Sequence, residues 1–590
     1  MALEWVFDGV PPSGARLGGD PSAFVFKASI ETFVREVLQN SADQGVSDDR
    51  VDVDFRLLEL SGADAAAFRE ALGWPALKRH LQGVRASRGP TEQGRFAEPK
   101  AVEEVLRVLW IEDRNTTGLD GPESGDGTYA ALCRDRLFSH KGVASGGSFG
   151  LGKAVLWRFS AVSVVAFHSS PKGQPSRFIA KAALPWHRVG GQQFAGDGWL
   201  GKSENTGPLR RAVSVRGQEA DGAAGRLGLP EWAAGVTGTR IGVVAFHDPA
   251  SDDEADVPTL CARIDAAAER NFWPAMVMAR LRVGVAPMVP PRGHAPWRAL
   301  FEAYTEGEER ESLVSEGDVV VVPLPLDVPG RKGRGLPIEA EVDLVVRLSG
   351  ARAPDVSELI AFRGAGMVVE RRRRERLSSS ARPFHALLVA GMARRDVGPN
   401  DAEVEQFLRA AEPPSHDRWV STPRLQQGWK RGYAKAVQSM WQRAEEQLRR
   451  IVSTPIDQLD EGPEGLRRLF PLSGEGGGRS TSAFRFRDLE AQLVDGRWQF
   501  AGAVEPSEPT AEPWQVVVSA RVPDELGTQI PVAQVTAEGG EVVVEAGRGF
   551  IRAGAGQPHV VFRGRTTRDF PVDPARSTFE LVVNGGGLAG

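Results

Sequence analysis

At 590 residues the chain exceeds what one hydrophobic core supports, and about three or four domains are expected. Apolar residues make up 41% and charged residues 25% with a net charge of −5, so the total offers no basic footprint for nucleic acid. Cys133 and Cys261, far apart in the chain, argue against a disulfide framework or a cysteine zinc site.

The first residues, Met1 to Asp8, lack a charged segment followed by an apolar run, and no stretch reaches membrane-spanning length, so a cytoplasmic protein without a membrane anchor is expected. Residues 24–44 carry apolar side chains at 30, 33, 34, 37 and 38, the spacing of a core-facing helix. On it Glu36, Asn40 and Asp43 fall at i, i+4 and i+7 and share a polar stripe that borders the apolar one. Such a stripe can be a solvated face. It can also place a general base, Glu36, one turn from a neutral oxygen ligand for magnesium, Asn40.

Residues 51–57 alternate as a half-buried strand does, and 105–111 form a more deeply buried one. Glu112-Asp113-Arg114-Asn115-Thr116-Thr117-Gly118 follows. A carboxylate at a strand end beside a small-residue turn can accept a hydrogen bond from an exocyclic amine such as adenine N6, or simply cap the strand. From 145 to 157 the chain reads Ser-Gly-Gly-Ser-Phe-Gly-Leu-Gly-Lys-Ala-Val-Leu-Trp, a glycine-rich turn whose backbone N–H groups can approach an anion. It nearly matches a phosphate loop, but Ala154 stands where Ser or Thr would hold magnesium.

Strands are predicted at 161–167, 176–183 and 239–246, the last preceded by Gly238-Thr239. An acidic connector at 248–257, a helix at 259–280 and strands at 319–322, 340–348 and 367–369 come next. The run Arg371-Arg372-Arg373-Arg374 suits either nucleic-acid phosphates or a solvated junction with acidic residues, the latter preferred. Residues 384–453 read as helical, 473–480 as a flexible linker, and 484–583 as short alternating strands of an all-β sandwich or barrel, with the sandwich taken as the expectation. The fold class expected is multidomain α+β, with domains at 1–250, 258–380, 381–470 and 483–590.

In order, four of these elements resemble the nucleotide-binding motifs of the GHKL superfamily: DNA gyrase, the ninety-kilodalton heat-shock chaperones, histidine kinases and MutL, with the related MORC ATPases. Glu36-x-x-x-Asn40-Ser41-x-Asp43 resembles the N box, Asp113 to Gly118 the first glycine box, Gly147-x-x-Gly150-x-Gly152-Lys153 the second, and Gly238-Thr239 the late Gly-Thr motif. The resemblance covers about residues 25–250. It implies a Bergerat-type α/β sandwich at the N-terminus and a transducer-like α/β domain after it, ahead of the helical region and the β-sandwich read from the sequence pattern.

It further implies ATP and Mg2+ as cofactors. Glu36 would activate water and Asn40 would hold the metal, with Asp43 in the same box. Asp113, supported by Thr239, would read the adenine amine near Gly118, and the lid Gly147, Ser148, Phe149, Gly150, Leu151, Gly152 and Lys153 would cover the phosphates. Asn115 departs from the family, which has glycine there. No room precedes residue 30 for a histidine-kinase hairpin, so the gyrase, chaperone and MutL branch fits better. The reading is a MutL- or MORC-like ATPase clamp, homodimeric on ATP, with DNA or a partner nuclease or helicase as client and a phage-defence setting by analogy. Lys332 and Arg363 are candidate cations from the second domain. The alternative is a nucleotide-regulated scaffold recruiting a partner through its C-terminal β domain.

Overall fold

The computed structural model describes residues 3–16, 28–46, 49–87, 102, 104–135, 152–206, 209–251, 255–287, 295–310, 315–333, 335–349, 357–364, 366–374, 382–452, 484–494, 497–506, 511–521, 529–545, 547–567 and 580–587. The chain divides into two compact units, Met1–Thr454 and Pro455–Gly590. The architecture is mixed α/β with several sheets.

In the first unit the described strands are β1 (Glu4–Gly9), β2 (Val51–Leu60), β3 (Leu106–Arg114), β4 (Val164–Ser170), β5 (Arg177–Ala183), β6 (His187–Val189), β7 (Gln192–Thr206), β8 (Leu209–Val213), β9 (Val215–Arg216), β10 (Gly238–Val244) and β11 (Leu281–Ala286). They form an 11-stranded sheet along the path β1-β7-β5-β4-β10-β3-β2-β11. Its helices are α1 (Ile30–Ala42), α2 (Gly62–Ala71), α3 (Trp74–Ala86), α4 (Val155–Arg158), α5 (Gln218–Arg226) and α6 (Val257–Val277).

Alternation along β3 sorts the two faces. Leu109 and Ile111 join the core that holds Phe33, Val34 and Leu38 of α1, whereas Val108 and Trp110 join the core beneath Phe68, Leu77 and Leu81 of α2 and α3. With both faces covered, β3 is apolar almost throughout, which is why its alternation was hidden in the sequence. Asp113 has the parity of Ile111 and so projects toward α1. Ser29 caps α1 by accepting from the Thr32 N–H at 3.2 Å, which starts the helix at Ile30.

A second sheet follows helix α7 (Ala295–Glu306). It contains β12 (Val319–Val328), β13 (Ile338–Leu348), β14 (Ser357–Arg363), β15 (Val368–Arg374) and β16 (Phe384–Ala390) in the order β12-β13-β16-β14-β15. β16 corrects the helical reading of 384–453 at its start: Phe-His-Ala-Leu-Leu-Val-Ala is buried between two strands, and a short apolar run has no period to tell such a strand from a helix. After it come α8 (Asp401–Ala410), α9 (Pro423–Gly428) and α10 (Tyr433–Val452).

Both borders of this sheet are blunted. Pro323 and Pro325 lie two apart on β12, so both face the same open side and offer no N–H there. On β15, Arg371 pairs with Glu358 at 2.9 Å, and Arg372 with Glu370 and Glu445, each at 2.8 Å, while stacking on Trp441. Those two arginines therefore serve a junction with acidic residues.

In the second unit the described strands run from β17 (Phe484–Val494), β18 (Arg497–Pro506), β19 (Trp514–Arg521), β20 (Gln529–Ile530) and β21 (Val532–Glu538) to β22 (Glu541–Glu545), β23 (Arg548–Ala553), β24 (Val560–Thr566) and β25 (Glu580–Gly587). They build two antiparallel sheets, β17-β18-β24-β21 and β20-β19-β23-β22 with β25 on β19. Phe500, Val504 and Phe562 of one sheet and Trp514, Val516 and Ile551 of the other share a core. The linker at 473–480 lies outside the described residues. Among the described residues no helix is long and apolar enough to cross a membrane.

Candidate functional site

The site gathers where α1 lies over the end of β3. Strand register places Thr239 of β10 directly opposite Asp113, and Ser169 of β4 opposite Thr239 on the far side. The Asp113 carboxylate is buried and receives three hydrogen bonds. The Thr239 backbone N–H donates to Oδ1 at 2.9 Å, the Thr116 hydroxyl to Oδ1 at 2.5 Å, and the Ser41 hydroxyl, from α1, to Oδ2 at 3.2 Å. Burial pushes the Asp113 carboxyl up to about 6, outweighing the three donors that favour its charged form. Oδ2, with one donor, keeps acceptor capacity for a further N–H.

Thr239 thus supports Asp113 through its backbone, while its hydroxyl meets Ser169 Oγ at 3.2 Å. Ser169 ties the next loop into the same cluster by donating to Gly238 O at 2.7 Å and accepting from the Leu119 N–H at 2.8 Å. Gly238 permits the close strand approach on which this depends, since a Cβ there would sit 2.0 Å from Asp113 O. Gly238→Ala is expected to destabilise the first unit by about 1–3 kcal/mol through overpacking, read as a lowered thermal midpoint.

The loop after Asp113 shows why Asn115 can stand where glycine was expected. Its φ is 63°, in the left-handed region that asparagine tolerates better than most side chains, and its amide donates to Arg50 O at 2.7 Å. Gly118 takes the second left-handed position, at φ 69°, where a Cβ would come within 2.8 Å of Pro171 Cα. Val46 N–H to Asn115 O at 3.0 Å and Thr117 N–H to Gln44 O at 2.9 Å clip this loop to the turn after α1.

From Phe33 to Ser41, α1 is buried at every residue except Asn40. At about 100° per residue, Asn40 lies between Ser41, which touches Asp113, and Glu36, which is buried one turn earlier. Along this stretch α1 is therefore exposed only at Asn40. Asp43, at the C-cap, is partnered: Arg409 of α8 donates to its Oδ2 at 2.6 Å.

Of the glycine-rich turn, Gly147, Ser148, Phe149, Gly150 and Leu151 lie outside the described residues. Gly152 begins a short 3-10 turn, Gly152–Ala154, that runs into α4, and both pack against α1. Lys153 donates to the carbonyls of Ala131 and, at 2.7 Å, Asp135. Of the two cations suggested from the second sheet, Lys332 donates to Gln426 O at 2.6 Å, and Arg363 is buried between Glu405 and Glu412.

Sequence reasoning gave no role to Ser41, Thr116, Ser169 or Arg409. Ser41 sits inside the motif around Asn40, and Thr116 three residues after Asp113 has the spacing of a local side-chain turn, so both carried a signal. Ser169 and Arg409 carried none, because only strand register and helix packing bring them near.

Asn40 is exposed and carries a neutral amide oxygen of the kind that could serve as one protein ligand to magnesium. Among the described residues no cluster of three or more His, Cys, Asp or Glu surrounds a common point.

No protein-family model matches the chain, and no curated protein matches it. Among solved structures it is similar to the B-subunit of DNA gyrase from Myxococcus xanthus, with 10% identity and a TM-score of 0.27 over 64% of this chain and 88% of that one.

Proposed function

We propose that the chain is a magnesium-dependent ATPase of the GHKL type, with residues 1–250 as its nucleotide-binding part and 258–380 as a transducer-like part. The observation that carries this is the Asp113 cluster: a buried carboxylate at a strand end, held by the backbone of Thr239 and by Ser41 of the helix that bears Glu36 and Asn40. The motif order in the sequence supports the same reading.

In it, Asp113 Oδ2 accepts a hydrogen bond from the adenine amine, and the loop ending at Gly118 passes beside the base. Magnesium, when bound, supplies neutralisation of charge on the phosphates, with Asn40 Oδ1 as its protein ligand. Glu36 takes a proton from the attacking water as the bond to the terminal phosphate breaks. Gly147 to Lys153 acts as a lid, and closure on a second copy of the chain is its working cycle. DNA or a partner enzyme is the client proposed for the clamp.

Asn40→Ala tests the assignment of the metal ligand. ATP affinity measured by calorimetry with and without magnesium is expected to lose its magnesium dependence in the variant, while the magnesium-free affinity stays near that of wild type. Wild-type magnesium dependence and turnover in Asn40→Ala would remove Asn40 from the site.

A further inference from the structure

Arg35, the residue before Glu36, is 9% exposed, and its guanidinium is shared among three segments distant in sequence. Nη1 donates to Asn271 Oδ1 of α6 at 2.5 Å and to the Val368 carbonyl that opens β15 at 2.9 Å; Nη2 donates to the His416 carbonyl. None of these acceptors is charged. Burial accordingly pushes the guanidinium pKa down, and the more distant carboxylates of Glu31, Glu412, Asp417 and Glu36 pull it back up. For holding segments together this is an expensive choice, since a well-packed apolar side chain of similar volume is often as stabilising as a buried charge.

A guanidinium offers what an apolar side chain lacks, a rigid planar fork whose bonds have direction. Three acceptors from three segments fix both the depth of α1 and its roll about its own axis. The acceptors are themselves held. His416 has a left-handed φ of 49° and its Nδ1 lies 2.7 Å from Glu412, which takes Arg363 Nε at 2.5 Å and Nη2 at 2.9 Å; Arg363 closes β14 and reaches Glu405 at 2.6 Å as well. A continuous set of buried polar bonds thus runs from α1 through the 416 turn to the second sheet. The roll that it fixes decides where the next side chain, Glu36, and the one a turn later, Asn40, are directed.

We infer that Arg35 is a positioning residue, which locks α1 onto the second sheet so that Glu36 and Asn40 keep their places in the proposed site. The role rests on the ATPase reading of that site. It separates from a merely structural one by where the damage falls, because a role confined to stability lowers the folded fraction without changing turnover per folded molecule.

The experiment compares Arg35→Met, Arg35→Lys and Asn271→Ala with wild type in the full chain, recording kcat, KM for ATP and thermal stability. In Arg35→Met kcat is expected to fall about 100-fold, the scale of a small misplacement of a catalytic group, with KM within about threefold of wild type because binding through Asp113 is retained. Arg35→Lys, which keeps the charge and loses the fork, is expected to fall between the two. Asn271→Ala, which removes one acceptor and leaves the guanidinium, is expected to lose about tenfold in kcat and serves should Arg35→Met not fold. Wild-type kcat in the folded variants overturns the positioning role and leaves the ATPase reading standing. If wild type neither binds nor hydrolyses ATP, the reading of the site falls, and this role with it.

Discussion

Glu36→Ala is expected to lower ATP turnover by about 10²–10⁴-fold, the usual contribution of a general base, while ATP affinity stays close to that of wild type. The separation follows from position. Glu36 is buried on α1, one turn before the exposed Asn40 and on a different face from Ser41, which contacts Asp113. Removing its carboxylate leaves the hydrogen bonds around Asp113 untouched. Alanine is the best helix former, so α1 is not weakened by propensity.

Glu36→Gln is the stricter comparison. Glutamine keeps the length and the hydrogen-bonding oxygen but cannot take a proton from water, so its turnover should match that of the alanine variant. Single-turnover and steady-state assays would show this, and wild-type turnover in Glu36→Gln would reject Glu36 as the base. Full turnover in both Glu36→Ala and Asn40→Ala would end the assignment of the catalytic site to this helix.

The second large effect is a trade of function for stability at Asp113. With its carboxyl raised from an ordinary value of 3.8 to about 6, the folded protein holds a proton between those values that the unfolded chain has released. Stability therefore falls as pH rises across that window, and at pH 7 the ionised group sits in the core at a net cost of about 3 kcal/mol.

Asp113→Asn removes the charge and keeps the shape. Its amide oxygen can still accept from the Thr239 N–H and the Thr116 hydroxyl, and its NH2 can donate to Ser41 Oγ. The variant is expected to be more stable by about 1–3 kcal/mol at pH 7, with a smaller gain at pH 5, where Asp113 is largely protonated in the wild type. ATP affinity moves the other way, by about 10–100-fold, because an amine meeting the asparagine NH2 loses a hydrogen bond to a charged acceptor. Turning the amide over restores the acceptor only by setting NH2 against the buried Thr239 N–H. Thermal melts at the two pH values and ATP titration measure the opposed effects; wild-type ATP affinity in Asp113→Asn would show that this carboxylate does not read the base.

Much of the framework was legible in the sequence because it is written in local periods. The apolar spacing from Ile30 to Leu38 marks α1, the alternation from Val51 marks β2, and the short strands after Phe484 mark the β-sandwich. The candidate site was read from residue type and spacing, with Asp113 near the end of β3 and Glu36 and Asn40 one turn apart on α1. Phe384–Ala390 was not legible, since a strand with apolar cores on both faces loses the alternation that would identify it.

The amino-acid sequence by itself marked α1, β2, β3 and the alternating strands of the second unit, and it singled out the side chains proposed for a nucleotide site. Tertiary structure decided what each of those side chains touches. Asp43, read as part of the polar stripe of α1, is held by Arg409 of α8; Thr239 supports Asp113 through its N–H rather than its hydroxyl; Arg371 and Arg372 pair with glutamates; and Arg35, a plain helix residue in the sequence, ties α1 to the second sheet. The reason is one of range. Periodicity and turn chemistry act over a few residues, whereas these partners lie up to 381 positions apart and meet only when strand register and helix packing bring their elements together.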